Sequence, residues 1–281
     1  MGNKSKEDAP RFKIFRKFKG YGYIDKTGKE VIPCKYNYLG GFYEGLAYVH
    51  LDDKWGFIDK SGKEVIPCRY DDAGNFSEGL ARVELDGKYG YINKIGKEVT
   101  PCKFDRVQFM SDGLIGVQLD DKWGFIDKSG KEVIPCRYYN AGNFSEGLAR
   151  VKLYGRGYGY IDKSGKEVIP CIYDEAFNFS EGLAKVSLDD LYGYIDKSGK
   201  EVIPCRYDDA GNFYEGLAKV ELDGKYGFID KSGKEVIPCK YDDILYHEPG
   251  YFSEGLAEVR LDDFHWAWID KKGKEVVVFD H

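Results

Sequence analysis

Seven cysteines, Cys34, Cys68, Cys102, Cys136, Cys171, Cys205 and Cys239, recur at intervals of 34, 34, 34, 35, 34 and 34 residues, each directly after a proline. An isoleucine keeps step with them at Ile24, Ile58, Ile92, Ile126, Ile161, Ile195, Ile229 and Ile269. Most of the 281 residues therefore form eight near-copies of one unit. A period of this length means a stacked array, in which no unit is stable alone and neighbours complete each other's core.

Helical repeats share the same period, so local chemistry has to choose between helix and strand. Ala81, Val83 and Leu85 alternate with Arg82 and Glu84, the two-residue period of a half-buried strand. Asp86-Gly87 follows, a signal for a two-residue hairpin whose central residues both take φ > 0. Lys88–Asn93 (KYGYIN) is a second strand. In the neighbouring unit Asp59-Lys60-Ser61-Gly62 has the Asp-first, Gly-last pattern of a type I turn, leading into a third strand, Lys63–Cys68 (KEVIPC). Pro67 donates no backbone hydrogen bond, which puts that strand at a sheet edge or ends it there. Three antiparallel strands finish at the wrong end for the next unit, so the link, Arg69–Glu78, must run back along the sheet. Tyr70 to Phe76 then supplies a short, irregular fourth strand. The expected fold is all-β: eight tandem antiparallel units of three to four strands and about 34 residues. These are arranged as a propeller-like ring or, alternatively, as an open β-solenoid.

The units, K-W-G-F-I-D-K-S-G-K-E-V-I-P-C from Lys54 to Cys68 and again from Lys122 to Cys136, with F-S-E-G-L-A at Phe76–Ala81 and Phe144–Ala149, closely resemble the WG (KWG) repeat family. The resemblance covers about Gly20 to Val278. It departs where Tyr21, Tyr89, Tyr158, Tyr192 and Tyr226 stand for the tryptophan, and in the last unit, where Ala267 replaces the glycine and Pro-Cys is missing. What the family implies is a β repeat used for interaction, with no catalytic residue set.

Composition narrows the function further. Aromatics reach 16%, with 42 Lys plus Arg against 48 Asp plus Glu, a formal charge of −6. That mixture argues against disorder, and its mild acidity gives no case for a nucleic-acid or anionic-membrane partner. No apolar run approaches the roughly 20 residues of a membrane span; Val276–Phe279 is strand-sized. Met1–Pro10 is polar and Arg11–Lys19 alternates basic with apolar residues, so no secretory signal is read there, and Lys6 breaks the myristoylation pattern. The expected organisation is a disordered leader, residues 1–11, on a single repeat domain, 12–281, in a cytoplasmic monomer.

The site chemistry is sparse. Seven cysteines in equivalent places cannot all pair, no C-x-x-C occurs, and His50, His247, His265 and His281 are out of phase with the repeat. Free thiols serving as small hydrophobes are expected, with no metal and no cofactor. Turn lysines at one end of each sheet and Asp-rich turns at the other read as solvated turn chemistry, or as one basic and one acidic rim. The aromatic pair of each unit, Trp55 and Phe57 for example, reads as core; an exposed ring per unit would instead make a platform for sugars. No nucleophile–base pair, phosphate loop or G-x-S-x-G appears, so no catalytic residue is assigned. Regularity breaks at two places: Arg106–Met110, and the interval from Ile229 to Ile269, which is six residues longer than the period. Tyr246, His247, Glu248 and Tyr251 in this longer link are the candidate partner-binding residues. The function expected is a non-enzymatic scaffold binding a protein or peptide. The alternatives are a carbohydrate-binding module, or a designed or duplicated repeat without a natural ligand.

Overall fold

A computed structural model of the chain describes residues 11–16, 19–245, 251–252 and 254–280. All its regular elements are strands, gathered into eight antiparallel sheets. The first sheet has three strands, Arg11–Arg16, Gly20–Asp25 and Glu30–Tyr36, and the other seven have four each. Leader residues 1–10 lie outside the description, and Arg11 opens the first strand. Among the described residues no helix is long and apolar enough to cross a membrane. The chain packs as two compact units. One comprises the chain up to Gln108 with Val117–Asp121 and Ile126–Glu132; the other comprises Phe109–Gly116, Lys122–Phe125 and the chain from Val133 onward.

The sheet of residues 175–207 shows how the sequence builds each repeat. Its order is Glu175–Ala176, Leu183–Leu188, Leu191–Asp196, Glu201–Tyr207. The short first strand lies in the link, as expected, and joins the sheet that follows it rather than the one it leaves. Asp189 and Asp190 turn the hairpin with φ of 51° and 63°, as Asp86 and Gly87 do elsewhere with 53° and 73°. Mirror-image turns of this kind match the twist of the strands they join. At the other hairpin the Asp196 carboxylate accepts from the Ser198 N–H and hydroxyl and from the Lys200 N–H, while Gly199 closes the turn at φ 84°. Those bonds, the Ser198 hydroxyl first, hold Asp196 below the usual carboxylate range.

The glycine of the W/Y-G motif has a packing reason. Between Tyr192↔Tyr207 and Tyr194↔Ile203, a step of two residues on the central strand is matched by four on the edge strand. The excess is a bulge around Pro204-Cys205 that folds over Gly193. A Cβ on Gly193 would lie 2.5 Å from the Ile203 carbonyl oxygen, 2.6 Å from the Cys205 nitrogen and 2.7 Å from the Pro204 carbonyl carbon. All of these are backbone atoms, which cannot swing aside. The last sheet is the internal control. Its edge strand, Glu275–Asp280, lacks Pro-Cys and runs one-to-one past its neighbour through Trp266↔Phe279, Ala267↔Val278 and Trp268↔Val277, leaving room for the Ala267 methyl.

Within each compact unit, one face of a sheet packs on the opposite face of the next. Leu183, Tyr194, Ile203 and Tyr207 of one sheet meet Ala210, Phe213, Ala218, Val220 and Ile229 of its successor. Phe213, from the link, meets the Tyr194 ring edge-on at 4.8 Å. The cysteines form no disulfides and are half-buried, with Cys171 fully buried. Burial, its largest cause, pushes the Cys205 thiol up, away from the reactive thiolate.

Polar ties accompany this stacking at both ends of the sheets. The Glu146 carboxylate accepts from the Gly182 N–H of the next sheet at 3.1 Å and pairs with that sheet's Lys197 at 3.0 Å. Glu181 repeats this with Gly216 at 3.0 Å and Lys231 at 2.9 Å, and Glu44 with Gly79 and Lys94. At the opposite end Lys54 pairs with Asp71, whose other oxygen accepts from the Asp86 N–H of the Asp-Gly hairpin. Both signs of charge therefore occur in paired form at each of these two ends.

Gly193→Ala is predicted to cost about 1–3 kcal/mol through overpacking against the bulge. The reverse change in the last sheet, Ala267→Gly, costs about 1 kcal/mol or less. Urea denaturation of the two variants beside the parent chain measures both.

Candidate functional site

Among the positions that change from unit to unit, three lie together. The residue after G-L-A is Tyr48, Arg82, Arg150, Lys185, Lys219 or Glu258, and two residues on stand His50, Glu84, Lys152, Ser187, Glu221 and Arg260. The first residue of the short strand is Tyr38, Asp72, Asn140, Glu175, Asp209 or Asp243. Strand register puts all three on one face, with the first ring of the aromatic pair. Ser187 stands opposite both Glu175 and Tyr192, and Lys185 opposite Tyr194. Glu221 likewise stands opposite Asp209 and Tyr226.

The geometry repeats with changing chemistry. Lys185 Nζ lies 3.9 Å from the Phe177 ring centre and 4.8 Å from that of Tyr192, and donates to the Ala210 carbonyl of the next sheet at 2.6 Å. Lys219 Nζ lies 4.0 Å from Tyr226 and 5.4 Å from Tyr251, and donates to the Ile244 carbonyl at 3.2 Å. In the preceding sheet Arg150 takes this place, over Tyr158 at 5.8 Å and donating to the Ala176 carbonyl at 2.7 Å. A cation held between rings thus pins the following short strand, and the pinned strand carries the next variable residue. Burial, the largest cause, lowers the pKa of both lysines against the opposing pull of neighbouring carboxylates: Asp209 and Glu175 at Lys185, and Asp243, Asp209 and Glu221 at Lys219.

Around these cations stand rings and carboxylates. The Tyr192 hydroxyl donates to Glu175 at 2.8 Å, the largest cause of a phenol pushed up to about 12; Glu221 does the same to Tyr226. Glu175 and Asp209 are exposed, and Tyr158, Tyr192 and Tyr226 are half-buried. In the other compact unit Arg82 pairs with Asp72 at 2.5 Å and lies over Tyr89. There too, Tyr48 stacks on Tyr38 at 5.7 Å beside Trp55. The second ring of each pair is core: Tyr160 and Tyr194 are buried and donate to the Phe177 and Gly211 carbonyls of the next link. The aromatic pair is therefore divided, with its inner ring in the core and its outer ring at this face.

Of the four residues singled out in the long link, the structure brings Tyr251 to the face. Its ring closes over Lys219, 6.0 Å from Phe228, and comes within 3.4 Å of where a Gly211 Cβ would stand. Phe177 fills the equivalent space over Lys185 from its own sheet. Tyr246, His247 and Glu248 lie outside the described residues. Lys185, Lys219 and Arg150 were not singled out from the sequence, although their variability within a constant frame was a readable signal. The second irregular link, Arg106–Ser111, becomes a full strand that turns through Asp112-Gly113. Among the described residues no cluster of His, Cys, Asp or Glu is placed to hold a metal.

This fold and this face define a tandem β-repeat protein with a constant frame and a varied surface. The family model described as WG containing repeat matches residues 21–55, 55–89, 89–123, 123–156, 158–192, 192–226 and 226–263, and the chain belongs to that family. No curated protein matches it. Among solved structures, a eukaryotic initiation factor is similar over 97% of this chain and 85% of its own, with 12% identity and a TM-score of 0.50. BamB from Moraxella catarrhalis is similar over 98% and 97%, with 11% identity and a TM-score of 0.39. The computationally designed Ika8 protein is similar over 94% and 91%, with 12% identity and a TM-score of 0.41. At such identities the initiation factor bears on the fold alone.

The lysine pKa values fix the sign of a pH effect. A lysine whose folded pKa lies below its unfolded value, about 10.4, binds its proton less well when folded, so its charged form opposes folding. That opposition is fully present at neutral pH and fades as pH rises through the lowered folded pKa. The stability of the parent chain relative to a Lys185→Met/Lys219→Met variant should therefore rise between neutral pH and about pH 10. Denaturant midpoints across that range measure the difference.

Proposed function

We propose that this chain is a non-enzymatic scaffold whose varied face binds a protein or peptide partner. The observation that carries this reading is the convergence of the changing positions. Units that agree over most of their length change together at three positions that share one sheet face, where half-buried rings, cations and exposed carboxylates alternate, and the longest link adds Tyr251 to the same place. A repeat array binds by such a division of labour, with constant residues holding the geometry and varied ones meeting the partner. Rings anchored on one side, with Glu175 and Asp209 beside them, suit the mixed aromatic and polar contacts of a protein interface.

Affinity capture with the full chain, followed by mass spectrometry, tests this reading. Glu175→Lys with Asp209→Lys should lose the captured partner, while Lys63→Gln in a constant turn keeps it. An identical capture profile for all three contradicts the proposal. The carbohydrate alternative rests on the outer ring beside a carboxylate, Tyr192 on Glu175 for instance. Glycan-array binding abolished by Tyr192→Ala would favour it over the protein partner.

A further inference from the structure

Sheet edges in this protein are blunted by two devices. One edge of most sheets is a strand of two residues, and the other is bulged at an exposed proline, as at Pro67, Pro135 and Pro204. Both prevent another strand from adding to the sheet. Among the described residues three edge strands have neither device: Arg11–Arg16, Arg106–Ser111 and Glu275–Asp280. The last of these is regular from Val277 to Asp280 and exposes Val276, Val277 and Val278 to about half their area (53%, 52% and 51%). On the first, Phe12 and Phe15 are exposed to 52% and 61%. Exposed apolar residues on a long, proline-free edge form a template for strand addition.

The first and last edges are also complementary. Arg11–Arg16 reads RFKIFR and Glu275–Asp280 reads EVVVFD, each six residues long. Set antiparallel end to end, Glu275 stands opposite Arg16 and Asp280 opposite Arg11. Val276 stands opposite Phe15, Val277 opposite Ile14 and Phe279 opposite Phe12, with Lys13 opposite Val278 as the one unmatched pair. Opposite charges at both ends and apolar pairs between them are the cross-strand pairs that stabilise antiparallel sheets. Asp280 is 90% exposed and lies 3.8 Å from His265, and among the described residues Glu275 pairs with Lys240 at 3.9 Å and Arg16 with Glu30 at 3.1 Å, surface pairs that an incoming strand can exchange.

We propose that the Glu275–Asp280 edge is a strand-accepting site whose occupant is the Arg11–Arg16 strand of a second copy of this chain. The contact is head-to-tail, so each addition presents a fresh acceptor edge and the assembly grows with concentration.

Sedimentation equilibrium of the full chain over a concentration series tests the proposal. The mean mass should climb past that of a dimer as concentration rises. A tail-reversed variant, Glu275→Lys with Asp280→Lys, and a head-reversed variant, Arg11→Glu with Arg16→Glu, should each remain monomeric, since each sets like charges together. Mixing the two should restore association, because the reversed tail accepts the reversed head; such rescue requires both variants to be folded. A parent chain that is monomeric throughout overturns the proposal. So does association that survives either reversal, or a mixture that fails to associate while both variants melt like the parent.

Discussion

A small sheet that is apolar on both faces has to be covered on both, and here the cover comes from its neighbours. Leu183 and Tyr194 on one sheet are buried by Val220 and Ile229 on the next, and Phe213 from the link fills the space between them. Stacking of this kind fixes distance but leaves sliding cheap. The turn glutamates supply register. Glu146 and Glu181 sit at φ 53°, a left-handed conformation that costs a residue with a Cβ roughly 1 kcal/mol. Each reaches a glycine N–H and a lysine of the following sheet from that position. A glycine would take the same turn without strain, so the strained carboxylate makes sense as a tie between sheets.

That dependence explains which residues can vary. The second aromatic ring, the isoleucine, the glycine under the Pro-Cys bulge and the turn residues all touch backbone or a neighbouring sheet. The residue after G-L-A is freer, because its task is to cover a ring and meet a carbonyl. Arg150, Lys185 and Lys219 all perform it. Variation gathers where the frame tolerates it, and the same tolerance leaves a face that differs from unit to unit.

Much of the fold was legible because it is local. Alternation in Leu80–Leu85, the Asp-Gly and Asp-Lys-Ser-Gly turns and the edge position of Pro67 follow from neighbouring residues in sequence. Two features were not legible. The bulge over Gly193 needs strand register, which sequence alone leaves open by a residue or two. The ties from Glu146 to Gly182 and from Lys185 to Ala210 span 36 and 25 residues and exist only once sheets are stacked. The site is hidden for a related reason. The repeat pattern marks the constant residues, while Lys185, Lys219 and Glu175 are visible only as departures from it. The long link is visible in the sequence as an insertion, yet what Tyr251 does there, closing over Lys219, depends on a residue 32 positions earlier.

Each sheet is held in register by its nearest neighbour, and amide hydrogen exchange in the Glu146→Gln variant tests this coupling directly. Faster exchange at Gly182, with Gly216 unchanged, is the predicted result, since Glu146 ties only the sheet that follows it. Unchanged exchange at Gly182, or equal acceleration at Gly182 and Gly216, would rule out nearest-neighbour coupling.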